Sequence, residues 1–343
     1  MEITFKTNPH KAVSFVESSV KKVLAKAGYL MADIKYDGVR GNIVVDNTAD
    51  CLWLSRVSKA IPAMEHMNGF DKRWQMLLKD DRCIFPDGFM LDGELMVKGV
   101  DFNTGSGLLR TKWLKAKNYP QSTYALLREW DNPKGKIPFH LNIAELKVIL
   151  YGVMPFDSMV SGEEYQVMRL LMREHVKALI PLLQEYFPEI TWEISESYEV
   201  YDYVELEALY ENARADKHEG LIVQDPLSFY QRGKKSGIWK MKPECEIDGT
   251  IVGLNWGTEG LANQGKVIGF EVLLETGRVV SANNISQELM DEFTSKVKES
   301  LGENPYDGWA CQVNYMEETP DGSLRHPSFG MFRGTEDNPK EKM

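Results

Sequence analysis

Four short segments of this 343-residue chain combine charged side chains in ways that suit chemistry at a phosphate. The first is Lys35-Tyr-Asp-Gly-Val-Arg40. In an extended segment Lys35 and Asp37 point to one face, and Gly38 permits a sharp turn. A lysine amine beside a carboxylate and an arginine can act as a covalent nucleophile toward electrophilic phosphorus, provided burial or a nearby divalent cation removes its proton. The second segment, Leu91-Asp-Gly-Glu-Leu95, puts Asp92 and Glu94 on one strand face, a pair suited to a hard cation such as magnesium or to a ribose hydroxyl. The third, Glu219-Gly-Leu-Ile-Val223, sets a carboxylate at the mouth of an apolar strand, a position for a metal or a substrate. The fourth, Ile238-Trp-Lys-Met-Lys-Pro243, aims Lys240 and Lys242 to one side and Trp239 and Met241 to the other, as a polyanion such as triphosphate requires. Tyr151, at the end of an apolar run, offers a ring for stacking on a base. Taken singly, each segment also has a plain reading: a surface hairpin, a wet sheet face, an edge charge, a solvated edge strand, a core tyrosine.

The elements that must carry these residues are legible from periodicity. Ala12, Phe15, Val16, Val20, Val23, Leu24 and Ala27 recur at helical spacing, with Gly28 as the stop. Strands are expected at Tyr29–Lys35, Gly41–Val45, Cys51–Arg56, Phe89–Val97, Leu146–Met154 and Gly220–Val223, and helices at Glu164–Phe187 and Val204–Arg214. Residues 98–145 read as a long irregular excursion. After Pro243 short strands alternate with glycine-containing turns around one helix bearing Leu289, Met290, Phe293 and Val297, the pattern of a small OB-type barrel. The expected fold class is therefore α+β: residues 1–242 as a domain of antiparallel sheets with flanking helices, and residues 243–343 as an OB-fold domain.

Composition narrows the partners. Hydrophobic residues make up 43% and charged residues 27%, which excludes intrinsic disorder. No apolar run is long enough to span a membrane, and no secretory leader is evident. The four cysteines, Cys51, Cys83, Cys245 and Cys311, are widely separated, so a reducing cytoplasm is expected rather than a disulfide framework or a zinc site. The net charge of −11 alone argues against nucleic acid. Its distribution reverses that: residues 243–343 hold 8 Lys+Arg against 18 Asp+Glu, while residues 1–242 hold 32 against 33. Two windows within the near-neutral part, Arg110–Lys117 and Arg232–Lys242, contain basic residues and no acidic ones.

The order Lys35, Asp92-Gly-Glu94, Tyr151, Glu219-Gly-Leu-Ile-Val and Lys240-x-Lys242 resembles the series seen in covalent nucleotidyltransferases. Together with KYDGVRGN, GFMLDGELMVKGVDFNTGSGLLRTKW, RGKKSG and EETPDGSLRHPSF, it is similar to the ATP-dependent DNA ligases, most closely the compact two-domain ligases of T-odd bacteriophages. The resemblance implies an adenylation domain followed by an OB fold, and ATP and magnesium as co-substrate and metal. Lys35 would take AMP. Arg40 and Arg56 would contact ribose or phosphate, Glu94 the ribose and metal side, and the backbone at Asp33 and Ile34 the adenine edge. Tyr151 would stack on adenine, Glu219 would hold magnesium, and Lys240 and Lys242 would grip the α-phosphate, with Lys11 and Lys234 toward the triphosphate. Arg325 and Arg333 fall in a segment similar to the family's last motif, though the usual acidic–lysine ending is missing after Arg333. Arg110, Lys112, Lys115 and Lys117, behind Gly105 and Gly107, would form a flexible basic loop on DNA. The implied partner is nicked double-stranded DNA, bound by a monomer in the cytosol of an infected host, alongside phage replication proteins.

Rival readings within the superfamily are an RNA ligase and an mRNA-capping guanylyltransferase, which share the lysine chemistry; a non-catalytic OB-type nucleic-acid-binding protein is the rival outside it. A small, net-negative ligase should bind nicks weakly and with strong salt sensitivity, its affinity falling as salt rises from about 50 to 200 mM. Fluorescence anisotropy with a labelled nicked duplex measures this, and an affinity indifferent to salt would contradict it.

Overall fold

The computed structural model describes residues 1–114, 121–126, 137–319 and 321–334. The chain divides into two compact units, one made of Met1–Val13, Tyr36–Tyr198 and Gln224–Ile238, the other of Ser14–Lys35, Glu199–Val223 and Trp239–Met343.

The first unit is built on a six-stranded sheet in the spatial order Gly69–Phe70, Asp50–Ser55, Val39–Val45, Phe89–Val97, Leu146–Pro155, Thr191–Ile194. All pairings are antiparallel except the last, Leu146–Pro155 with Thr191–Ile194. Phe89–Val97 lies between two long neighbours, and eight of its nine residues are buried, so both faces are covered. The simple alternation expected there, and in Cys51–Leu54, is hidden for that reason. The helix Arg169–Tyr186 carries Met172, Val176, Leu179, Leu182 and Leu183 into the core with Pro181 inside its span.

Residues 102–110 depart from the expected flexible loop. They form a helix, Phe102–Arg110, started by the Asp101 side chain accepting from the Thr104 N–H, with Leu108 and Leu109 buried. Gly105 and Gly107 lower helix propensity but do not abolish it when a cap and two buried leucines act together.

The expected N-terminal helix starts later than periodicity implied. Lys11–Ser14 is a strand, and the helix runs Glu17–Ala27 with Gly28 at φ 82° closing it. Leu30–Lys35 is flanked in its sheet by Gly220–Gln224 and Ser197–Val200, and Lys234–Met241 lies on the far side of Gly220–Gln224. Gly220 is required there: at φ 148° a Cβ would stand 2.0 Å from the Met241 carbonyl oxygen.

The C-terminal part is a five-stranded antiparallel sheet, ordered Val279–Ala282, Val267–Leu274, Cys245–Trp256, Ala310–Tyr315, Ser328–Gly334, with the helix Gln287–Glu299. A bridge from Asn283 to Ser328 links its two ends, which curls the sheet into the OB barrel. Phe270, Phe293, Tyr306, Phe329 and Phe332 fill the interior, with Phe270 and Phe293 centroids 5.0 Å apart.

Candidate active site

In the second unit three of the singled-out residues meet. Lys35, the last residue of its strand, donates to Glu219 Oε2, and Lys242 donates to Glu219 Oε1. Glu219 precedes the central strand Gly220–Gln224, so the strand order places its carboxylate between the two lysine-bearing strands. Burial pushes the Glu219 carboxyl up, but the Lys35 charge and the hydrogen bonds from both ammonium groups outweigh it and hold the carboxyl below the usual range. Lys240 is turned to Glu244 at 2.5 Å, four residues along. The alternation of this segment is as the sequence implied: Trp239 and Met241 are buried, and Lys240 and Lys242 are partly exposed. Asp33 and Ile34 are buried within the strand that ends in Lys35.

In the first unit Arg40, Glu94 and Tyr151 meet on neighbouring strands. Arg40 pairs in register with Glu94 across the Val39–Val45 and Phe89–Val97 ladder. The Tyr151 hydroxyl donates to Glu94 at 2.9 Å, and the Arg40 guanidinium stands 5.4 Å from the Tyr151 ring centroid. Arg40 is fixed from behind by Asp92, with Nε donating to Oδ1 at 2.8 Å and Nη2 to Oδ2 at 2.6 Å. Asp92 is fully buried and also accepts from Asn42 Nδ2 at 3.0 Å and the Tyr230 hydroxyl at 2.8 Å. Four donors on one carboxylate satisfy a buried charge that would otherwise be costly. The sequence presented Asp92 as a metal or ribose carboxylate. The structure makes it the anchor of Arg40, while Glu94 alone of the pair engages Tyr151. Gly38 is not at positive φ; its need is room, since a Cβ would lie 2.7 Å from both Glu94 Cγ and the Leu95 carbonyl oxygen.

Arg56 is exposed in the turn after Asp50–Ser55. Lys11 donates its backbone N–H to the Gly233 carbonyl, and Lys234 is exposed in the strand that begins there. Arg232, at the head of the second basic window, is buried instead, donating to the carbonyls of Lys6, Thr7, Asn8, Ser158, Met159 and Glu163. Arg325 is held by Glu17, Glu317 and the Tyr203 hydroxyl, and Arg333 by Gln312 at 2.6 Å and Asp248 at 3.4 Å. Arg110 and Lys112 are exposed, Lys112 standing 5.6 Å over the Trp113 ring. Lys115 and Lys117 lie outside the described residues. Asn42, Tyr230 and His10 were missed by sequence reasoning. Nothing local marks Tyr230, 138 positions from Asp92, as its partner.

Two family models match the chain, an ATP dependent DNA ligase domain over residues 9–242 and a DNA ligase C-terminal domain over 243–303 and 299–333. The DNA ligase of Escherichia phage T7 is 66% identical, covering 99% of this chain and 100% of the relative. The chain belongs to the ATP-dependent DNA ligases. The DNA ligase of Enterobacteria phage T3 is 69% identical, with 99% of each chain covered. A solved structure of the ATP-dependent DNA ligase from bacteriophage T7 in complex with ATP superposes with a TM-score of 0.89 at 66% identity, covering 96% of this ligase and 99% of that chain. The Chlorella virus DNA ligase–adenylate, 19% identical with a TM-score of 0.53, covers 96% of this ligase and 99% of its own chain and shares the fold.

Because Asp92 neutralises Arg40 in the interior, Asp92→Asn should destabilise this ligase by about 3–5 kcal/mol through the uncompensated guanidinium. Urea unfolding measures it, and a loss below about 1 kcal/mol would show that Arg40 finds its compensation elsewhere.

Proposed function

We propose that this ligase seals nicks in duplex DNA through an AMP group carried on Lys35. The observation that carries the assignment is the Lys35–Glu219–Lys242 cluster in a member of the ATP-dependent DNA ligases: one lysine at a strand end, held against a carboxylate that a second lysine also grips.

In the resting cluster Glu219 holds the Lys35 and Lys242 side chains against its two carboxylate oxygens. A triphosphate brings negative charge that competes with Glu219 for Lys242 and draws Lys240 from Glu244. Once neutral, the Lys35 amine attacks the α-phosphorus of ATP; the bond to pyrophosphate breaks and a phosphoramidate forms. The AMP passes to the 5′-phosphate of the nick, giving the 3′-hydroxyl a good leaving group to displace. The lysines stabilise charge on the phosphoryl oxygens, and the protein mainly positions the reactants. Tyr151 supplies a ring for the adenine, Arg40 and Glu94 serve the ribose and phosphate side, and the Asp33 and Ile34 backbone reads the base edge. Arg56, Lys11 and Lys234 are further contacts for the nucleotide, and Arg325 and Arg333 serve the departure of pyrophosphate.

Among the described residues no group of three or more His, Cys, Asp or Glu side chains forms a metal cage. Magnesium does not need one, because it keeps waters and phosphate oxygens and takes only one or two carboxylates from the protein. Glu219 and Glu94 are the residues that would hold it, and bound with the nucleotide it would neutralise charge on the phosphoryl oxygens.

The DNA backbone is assigned to Arg110 and Lys112 together with Lys115 and Lys117. The domains are 1–242 for adenylation and 243–343 for the OB fold. The enzyme acts as a monomer in the host cytosol, in the company of phage replication proteins. No described helix is long and apolar enough to cross a membrane.

Incubation with α-labelled ATP tests the assignment. Wild type should form a labelled enzyme–AMP adduct that nicked DNA discharges, while Lys35→Ala and Lys35→Arg should form none; a labelled adduct on either variant would refute it.

A further inference from the structure

Behind Arg40 lies a set of buried polar residues that belongs to none of the four charged segments. Tyr230 is 2% exposed and His10 is 1% exposed. The Tyr230 hydroxyl donates to Asp92 Oδ2 at 2.8 Å, on the same oxygen that takes Arg40 Nη2. That Nη2 also donates to the His10 carbonyl at 2.8 Å. The His10 ring is fixed in turn. Its Nδ1 accepts from the Gln231 N–H at 3.1 Å and faces Arg169 Nη2, so Nε2 carries the proton and donates to the Lys235 carbonyl at 3.2 Å. Burial and the Arg169 charge keep this imidazole neutral, pushing its pKa down to about 3. The Tyr230 ring packs on Gly152, where a Cβ would stand 3.1 Å from Tyr230 Cε2, so the residue after Tyr151 leaves space for it.

With Nε and Nη2 committed, Arg40 keeps Nη1 without a partner among the described residues. A long, flexible side chain is thereby reduced to one orientation with one pair of N–H donors on offer. We propose that Tyr230 and His10 are positioning residues that aim Arg40 Nη1 at the nucleotide, Tyr230 through Asp92 and His10 through its backbone carbonyl. This rests on the reading of Arg40 as a nucleotide contact. Neither residue touches the reacting atoms, so their loss should weaken the use of ATP and spare the chemical step.

The test uses the full-length enzyme, α-labelled ATP and a nicked duplex, with Tm and circular dichroism recorded for every variant. Tyr230→Phe keeps the ring and removes the hydroxyl. It should raise KM for ATP in AMP transfer roughly tenfold and change kcat by less than about twofold. Arg40→Lys should also raise KM, and the double variant should be no worse than Arg40→Lys alone, because both changes remove one function. An unchanged KM in Tyr230→Phe, or losses that multiply in the double variant, would overturn the positioning role. An unchanged KM in Arg40→Lys would instead bring down the reading of Arg40 beneath it. Should Tyr230→Phe not fold, His10 decides: His10→Gln keeps an N–H toward Lys235 and should stay within about threefold of wild type, whereas His10→Ala should raise KM roughly tenfold. Equal behaviour of the two His10 variants would overturn the proposal.

Discussion

A single carboxylate, partly withdrawn from water, holds two ammonium groups in this ligase, and the site depends on that restraint. Glu219 accepts Lys35 on one oxygen and Lys242 on the other. Without it, two lysines brought together from either side of Gly220–Gln224 would repel and turn to solvent. With it, both are kept in place, where a polyanion would compete for the same side chains. The strand order enforces the geometry: Gly220–Gln224, which Glu219 introduces, runs between the strands that end in Lys35 and lead to Lys242. Gly220 lets its strand lie against Met241, where a Cβ would stand 2.0 Å from the carbonyl oxygen.

Asp92 solves the opposite problem. It is fully buried and receives donors from Arg40, Asn42 and Tyr230, so it is a fixed part of the scaffold rather than a group that exchanges partners. Glu94, two residues on and on the same strand, faces Tyr151. One strand thus carries an anchoring acid and an acid that meets a ring suited to a base. Asp92 is compensated within the scaffold, whereas Glu219 is compensated by two lysines that a triphosphate would compete for. The second basic window, Arg232–Lys242, divides in the same way. Arg232 is spent on backbone carbonyls, which ties the N-terminal segment to the fold, while Lys240 and Lys242 are paired with carboxylates and partly exposed.

The sequence was informative wherever spacing alone determines geometry. Alternation in Trp239-Lys-Met-Lys242 separated the buried face from the cationic one, Gly28 marked a helix end, and the C-terminal strands read as a barrel. Legibility failed where pairing across the fold overrides local pattern. Phe89–Val97 looked half-wet because Asp92 and Glu94 are charged, yet partners from distant segments bury them both. The helix Phe102–Arg110 was obscured by two glycines, although Asp101 and Leu108–Leu109 carried the counter-signal. Tyr230 and His10 reach the site only through tertiary hydrogen bonds, and no spacing in the chain announces them.

The central claim is that Lys35, rather than any other lysine of the basic cluster, becomes covalently bonded to AMP. Mass spectrometry of protease-digested enzyme after reaction with ATP locates the phosphoramidate directly. The account predicts the added AMP mass on the peptide containing Lys35 and on no peptide containing Lys240, Lys242, Lys11 or Lys234. AMP found on one of those residues, with the Lys35 peptide unmodified, would contradict it.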